Sequence, residues 1–98
     1  MDRKEKLDLF ATLMITAGQV ELGLQFAESK EGQFQLSEDL KRTYKKKFLS
    51  QAKQCHDVAE TLKSALYRND RELFEDVEKH ITHAIDVSKK AIRYYRKL

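Results

Sequence analysis

The chain has 98 residues, of which 41% are hydrophobic and 36% are charged, with no proline, no tryptophan and three glycines. This length corresponds to one small domain covering residues 1–98, and this composition excludes collagen and low-complexity linkers. Cys55 is the only cysteine, which excludes a scaffold built on intramolecular disulfides. The net charge of +3 is mild, so the placement of the charges matters more than their sum.

A single cysteine is typical of proteins in a reducing compartment, so we expect a cytoplasmic protein. The stretch from Leu9 to Ala27 is nearly long enough to span a membrane, but it carries Gln19, Glu21 and Gln25. We therefore interpret this stretch as a buried helix and expect no association with a membrane.

The first predicted helix covers residues 3–28 and is apolar nearly all round. Its hydrophobic residues recur at three- and four-residue steps in three adjacent stripes, which is typical of a helix covered on most of its circumference. Two neighbouring helices would cover about two thirds of that circumference. The apolar surface of helix 1 that would remain uncovered predicts a self-association surface or a groove for a partner. The candidate interface residues are Phe10, Ile15, Leu22 and Phe26.

Residues 29–36 interrupt the apolar pattern, with Gly32 supplying a permissive backbone. Ser37 then has the features of a helix N-cap, because Glu38 and Asp39 follow it in the first turn, where carboxylates are favoured. The second predicted helix runs from about 38 to 67. Its apolar stripe consists of Tyr44, Phe48, Ala52, Cys55, Ala59, Leu62 and Leu66.

The third predicted helix runs from about 70 to 97. Asn69, followed three residues later by Glu72, is typical of a capping-box start. The apolar residues keep a heptad-like spacing: Phe74, Val77, Ile81, Ala84, Ser88, Ala91 and Tyr95. Short connections between long helices predict an all-α, antiparallel, up-down-up bundle of three long helices. The nearest alternative is a pair of such helical hairpins joined into one dimeric bundle through helix 1.

The basic residues are concentrated in two distant runs, 41–47 and 89–97. Together these runs hold ten of the 19 lysines and arginines and no acidic residue. Antiparallel packing of helices 2 and 3 brings both runs to the same end of the bundle. Since cations near a helix N-terminus are electrostatically unfavourable, residues 41–47 indicate an anionic partner. The ten cations are Lys41, Arg42, Lys45, Lys46, Lys47, Lys89, Lys90, Arg93, Arg96 and Lys97.

Nucleic acid offers the dense phosphate charge that such a basic end would bind. Tyr44 and Tyr94 lie within the two runs and are candidates for stacking or hydrogen bonding. No helix-turn-helix, zinc-finger or ribonucleoprotein motif is present, which favours recognition of the RNA or DNA backbone. A solvated polar end, an acidic protein partner and an anionic membrane are the alternatives.

Cys55, His56, His80 and His83 fall at similar heights on helices 2 and 3, so their convergence on a zinc ion is an open question. The Glu-x-x-His pairs of di-iron bundles are absent, and we predict no metal site and no cofactor. A thiolate of Cys55 with His83 as its base is the one conceivable nucleophilic pair, but the apolar stripe places Cys55 inward.

The sequence therefore predicts a non-enzymatic accessory or regulatory protein with no small-molecule substrate. Its first predicted function is binding of an RNA or DNA backbone through the basic end, with homodimerisation through helix 1 expected. The alternative is a helical protein-interaction module, such as an adaptor, an inhibitor or an antitoxin-like partner, acting through the apolar face of helix 1.

Overall fold

The computed structural model describes residues 2–29 and 37–97, which form three helices. They are α1 (Arg3–Glu28), α2 (Glu38–Asn69) and α3 (Arg71–Lys97). All three pairs of helices are in contact, and the contact between α2 and α3 is the most extensive. The described ranges contain no strand, so the prediction of an all-α three-helix bundle is confirmed. The predicted break at Gly32 lies outside the described residues.

Two contacts at opposite ends of the molecule define the up-down-up topology. Lys6, near the start of α1, forms an ion pair at 3.4 Å with Asp70, which precedes α3. Ala27, near the end of α1, accepts a hydrogen bond from Tyr94, near the end of α3. α1 and α3 therefore run in the same direction, and α2 runs against both. The resulting rod measures 47 × 19 × 18 Å.

Short polar side chains start each helix by accepting backbone N–H groups that have no partner within the helix. Asp2 caps α1 by accepting from Glu5 N at 2.8 Å, and Ser37 caps α2 by accepting from Leu40 N at 3.3 Å. The predicted cap at Ser37 is thus correct. The predicted cap at Asn69 is wrong, because α2 continues through Asn69 and the next residue, Asp70, accepts from Leu73 N at 3.2 Å.

The core follows the predicted stripes of α2 and α3 closely. Alanines recur at seven-residue intervals on both helices, at 52 and 59 and at 84 and 91, and all four are fully buried. Small residues at this spacing let the two backbones approach closely, which explains why α2 and α3 share the largest contact. Larger side chains that are at most 1% exposed fill the remaining space: Leu13, Val20, Leu62, Leu66, Ile81 and Tyr95.

α1 lies close to α2 at Gly23. A Cβ atom at this position would come within 2.7 Å of the Phe48 ring, so only glycine fits without a shift. Gly18, by contrast, has no atom within 4 Å of its would-be Cβ and faces open space. The two glycines therefore mark opposite sides of α1, one against the bundle and one away from it.

Candidate functional site

A surface groove of about 500 Å³ lies between α2 and α3 at the basic end of the bundle. Four cationic side chains line it, together with a single carboxylate, a histidine and an isoleucine. Asp57 is that single carboxylate, so the lining carries a clear excess of positive charge. The full lining consists of Lys53, His56, Asp57, Lys89, Ile92, Arg93 and Arg96.

The cations of this groove form two rows because of helical periodicity. On α3, Lys89, Arg93 and Arg96 follow steps of four and three residues, which place them on one face. On α2, Lys46 lies seven residues before Lys53, two helical turns along the same face. All five side chains are exposed. Lys46, and Arg42 one turn before it, lie outside the lining of the groove and extend its α2 row by helical periodicity. We call the four lining cations together with these two the basic groove.

The remaining predicted cations do not extend this groove into one continuous patch. Lys41 pairs with Glu38 at 3.5 Å, and Lys90 lies 3.9 Å from Glu28 of α1. Arg42 lies 3.9 Å from Asp39, an exposed pair that contributes little binding energy and leaves its guanidinium accessible. Other predicted cations have exposed or half-buried side chains: Lys45, Lys47 and Lys97. Of the ten predicted cations, Lys89, Arg93 and Arg96 line the groove, whereas Lys41 and Lys90 lie beside carboxylates.

The sequence prediction missed Lys53, His56, Asp57 and Ile92. These residues lie outside the two basic runs or are not basic, so a search for charge runs passes over them. For Lys53 the sequence does carry a signal, because it follows Lys46 by seven residues and so lies on the same helical face. Grouping the basic residues by the helical face they share identifies Lys53. A search for runs of basic residues along the sequence does not.

Tyr44 packs in an aromatic cluster within the bundle. Its ring lies 4.2 Å from the Phe48 ring and 6.1 Å from the Phe26 ring, measured between centroids. Phe48 in turn stacks on Tyr95 at 5.9 Å. This cluster joins all three helices at the basic end, so the observed partners of Tyr44 are protein rings.

Tyr94 is also engaged in the bundle. Its hydroxyl donates to the Ala27 carbonyl oxygen at 3.0 Å, and its ring meets the Tyr95 ring edge-on at 5.4 Å. Burial, with a smaller contribution from Glu28, raises the pKa of the Tyr94 hydroxyl. Tyr94 therefore acts as a donor that ties α3 to α1, and a stacking role for it does not follow from its position.

His56 lies at the inner edge of the basic groove between two carboxylates. Its Nε2 is 3.7 Å from Glu60 Oε1, and its Nδ1 is 4.0 Å from Asp57 Oδ1. Nε2 is buried and has no hydrogen-bond partner in the described part of the chain. The ring is thus close enough to Glu60 for a favourable charge interaction whenever it is protonated.

The four residues considered for a metal site lie in separate surroundings. Cys55 is completely buried, and burial raises the pKa of its thiol. His80 packs edge-on against Phe10, and His83 Nε2 lies 3.2 Å from Glu21 Oε2 on α1. Within residues 2–29 and 37–97, no group of three or more histidine, cysteine, aspartate or glutamate side chains is placed to hold a metal ion.

One face of α1 remains uncovered by the other two helices. Ile15 and Leu22 are 64% and 68% exposed and Phe26 is 39% exposed, so these three predicted interface residues are accessible. Phe10 is a correction, because it is half-buried against the core and contacts His80. The stripes of α1 are all apolar, so the sequence carries no contrast to show which one faces inward. Leu7 and Met14, which the prediction omitted, are 45% and 40% exposed.

α1 is long and apolar enough to cross a membrane when judged by length and composition alone. In the bundle, 28% of its most apolar window is buried. The core helix of a soluble protein meets the same criterion.

Comparison of the chain with known protein families, with curated proteins and with solved structures found no match.

Proposed function

We propose that the protein binds the phosphate backbone of a nucleic acid in the basic groove between α2 and α3. The observation that carries this proposal is the pair of cationic rows on the two helices. The row from Arg42 to Lys53 extends over ~16 Å and the row from Lys89 to Arg96 over ~10 Å, at 1.5 Å of rise per residue. With one phosphate per ~3.4 Å of each strand, these lengths correspond to about three to five nucleotides.

Backbone contacts are favoured over base readout by the dimensions of the bundle. Its cross-section of 19 × 18 Å exceeds the width of the DNA major groove, about 12 Å, so the bundle as a whole does not enter that groove. Phosphate contacts position a protein without reading sequence. We therefore expect weak dependence on sequence and strong dependence on salt.

Single-strand binding by base stacking has little support at this end of the molecule. Tyr44 and Tyr94 both have partners within the bundle, and the groove lining contains no phenylalanine, tyrosine or tryptophan. Stacking platforms for single strands are built from accessible aromatic rings. We expect duplex RNA or duplex DNA to bind at least as tightly as a single strand of the same length.

The test is a fluorescence-anisotropy titration with single-stranded RNA, duplex RNA and duplex DNA at about 50 and 200 mM salt. Neutralisation of four phosphates predicts a loss of affinity of about 100-fold between these two salt concentrations. The Lys53→Glu, Arg93→Glu double variant should bind far more weakly and show a salt slope lower by about two. Helicity by circular dichroism checks that the variant is folded.

A charge-matched control distinguishes binding in the basic groove from a general effect of net charge. Lys63 and Lys79 are exposed lysines outside the basic groove, and the Lys63→Glu, Lys79→Glu variant changes the net charge by the same amount. This control should retain most of the affinity. Equal losses in both double variants would assign binding to overall charge and would contradict the groove.

A helical protein-interaction module is the second candidate function, and the exposure of Ile15 and Leu22 on α1 is the observation that favours it. Absence of nucleic-acid binding even at low salt would favour this candidate. The basic groove would then be expected to dock an acidic protein. The discriminating measurement is binding of a polyglutamate peptide, compared between the protein and the Lys53→Glu, Arg93→Glu variant.

A further inference from the structure

The uncovered face of α1 consists of two adjacent rows of apolar side chains. Leu7, Ala11 and Ile15 form one row at four-residue steps, and Gly18, Leu22 and Phe26 form the other. Met14 extends the second row by one turn. The face runs for ~28 Å along the helix and carries no charged residue within these rows. α1 therefore presents a continuous apolar strip that neither α2 nor α3 covers.

The spacing of this strip is the same read in either direction. The steps are four, four, three, four and four residues, centred between Thr16 and Ala17. A two-fold axis at that centre, perpendicular to the helix, would bring Ala11 opposite Leu22 of a second copy and Ile15 opposite Gly18. These two pairs would each place a large side chain against a small one, whereas Leu7 would face Phe26 and Met14 has no counterpart in the strip.

The structure supplies the space that such a contact needs. Gly18 has no atom within 4 Å of a would-be Cβ, whereas Gly23, on the side of α1 that meets the bundle, would touch Phe48 at 2.7 Å. Gly18 is therefore open to an incoming side chain. A small residue at such a position lets two helices approach closely.

Helix polarity also favours the antiparallel arrangement. Arg3 and Lys4 lie in the first turn of α1, where the dipole of their own helix disfavours cations. The last turn of α1 contains no basic residue of its own, and the cation recorded beside it is Lys90 of α3, 3.9 Å from Glu28. An antiparallel pair places the two cations of each copy beside the C-terminal end of the other α1, which improves both interactions.

The exposed area is at the low end of what a specific dimer buries. Five large side chains on this face expose between 39% and 68% of their surface: Leu7, Met14, Ile15, Leu22 and Phe26. Together they amount to on the order of 500 Å² per copy, at the upper end of patches found on monomers. A two-fold contact would bury about 1,000 Å² in total, the lower bound for a stable interface.

We infer that this face of α1 binds a second copy of the chain in an antiparallel, two-fold contact centred between Thr16 and Ala17. This dimer goes beyond the proposed nucleic-acid function, because it involves the face of α1 that the basic groove does not touch. It also fixes the arrangement of the two grooves. Each groove lies near the C-terminal end of its own α1, so the antiparallel pair would hold the grooves at opposite ends of the assembly.

The first measurement is the molar mass in solution by light scattering or sedimentation equilibrium, between about 1 and 100 µM protein. The dimer predicts a mass rising toward twice 11.5 kDa with concentration. Leu22→Lys should remain at the monomer mass with unchanged helicity. Leu40 on α2 is 53% exposed, so Leu40→Lys is the matched control and should still dimerise.

Disulfide cross-linking tests the antiparallel register. In a Cys55→Ala background, a mixture of Ala11→Cys and Leu22→Cys proteins should form the mixed disulfide on mild oxidation. Leu22→Cys alone should not cross-link, because its two copies would lie ~16 Å apart along the axis, beyond disulfide reach. Efficient Leu22–Leu22 cross-linking would indicate a parallel dimer and overturn the inference.

A monomer mass at every concentration would also overturn it. Co-sedimentation with neutral phosphatidylcholine vesicles then distinguishes the remaining occupants. Vesicle binding by the wild type that Leu22→Lys abolishes would assign the strip to a lipid surface, and absence of vesicle binding would leave a heterologous protein as the occupant. Under both vesicle outcomes, the monomer mass is what excludes the homodimer.

Discussion

Tyr94 on α3 donates its hydroxyl proton to the backbone carbonyl oxygen of Ala27, 3.0 Å away in the last turn of α1. The last carbonyls of a helix have no partner within it, so this side chain satisfies an acceptor that the α1 backbone leaves open. We expect Tyr94→Phe to lower the free energy of unfolding by about 1–2 kcal/mol. Urea denaturation measures this change, and unchanged stability would contradict the assigned role.

For Tyr95, the next residue, we expect removal of the hydroxyl to have the opposite effect on stability. Its hydroxyl is completely buried and has no hydrogen-bond partner among residues 2–29 and 37–97. A buried hydroxyl without a partner costs free energy in the folded state, so its removal relieves that cost. We expect Tyr95→Phe to raise the free energy of unfolding by about 1 kcal/mol in the same urea experiment. A loss comparable to that of Tyr94→Phe would mean that the hydroxyl has a partner after all.

Tyr95 also predicts instability at alkaline pH. Burial is the main reason that its pKa rises to about 12, and the nearby charges of Tyr44, Tyr94 and Glu28 add to the effect. In the unfolded chain tyrosine ionises near pH ~10, so the unfolded state is increasingly favoured between pH ~10 and ~12. The free energy of unfolding should therefore fall in this window. Tyr95→Phe should weaken the fall, whereas Tyr67→Phe at a half-exposed position should preserve it.

Asp70 links the start of α3 to the start of α1. The hydrogen bond from Leu73 N is the main cause that lowers the pKa of its carboxyl, and Lys6 lowers it further. A carboxylate with a depressed pKa stabilises the fold above its ordinary value of ~3.9, and this contribution is lost as the pH falls through the folded value. Asp70→Asn retains an N-cap acceptor, so at neutral pH the melting temperature should decrease from wild type to Asp70→Asn to Asp70→Ala. The first two should converge only at pH values below the depressed pKa of Asp70, where its carboxyl is protonated in the folded state.

The two helical glycines of α1 offer a matched pair of substitutions. Gly18→Ala should raise the free energy of unfolding by about 0.5–1 kcal/mol, because alanine is the better helix former and meets no atom there. Gly23→Ala should lower it by about 1–3 kcal/mol, since the Phe48 ring is held between Tyr44 and Tyr95 and has little room to move. Thermal melts at micromolar or lower protein concentration compare the two without interference from self-association.

The fold could be predicted from the sequence where one face of a helix contrasts with the other. Every residue of the predicted α3 stripe, from Phe74 to Tyr95, is buried, because polar residues between them fix the phase of the helix. In α1 that contrast is missing, and Phe10 was therefore assigned to the wrong face. At residues 68–70 the predicted cap at Asn69 is displaced by one residue to Asp70, because α2 extends two residues beyond its predicted end at 67.

The candidate site could be predicted only in part. The two basic runs indicate one end of the bundle, since antiparallel helices bring residues 41–47 and 89–97 together. Which cations face each other depends on the rotation of both helices about their axes. That rotation is fixed by the packed alanines of α2 and α3, and it brings Lys53 into the groove while Lys90 is directed toward Glu28.

The single residue between α2 and α3 has a consequence for the order in which the protein folds. Closing so short a connection costs little chain entropy, and the α2–α3 hairpin also has the largest contact. We expect the hairpin to form first and α1 to dock on it in a later step. In native-state hydrogen exchange, amides of α1 should then exchange through a lower-energy opening than the buried amides near Ala59 and Ala84. A transiently undocked α1 would expose its whole apolar circumference, so chaperone binding during synthesis should act chiefly on this helix.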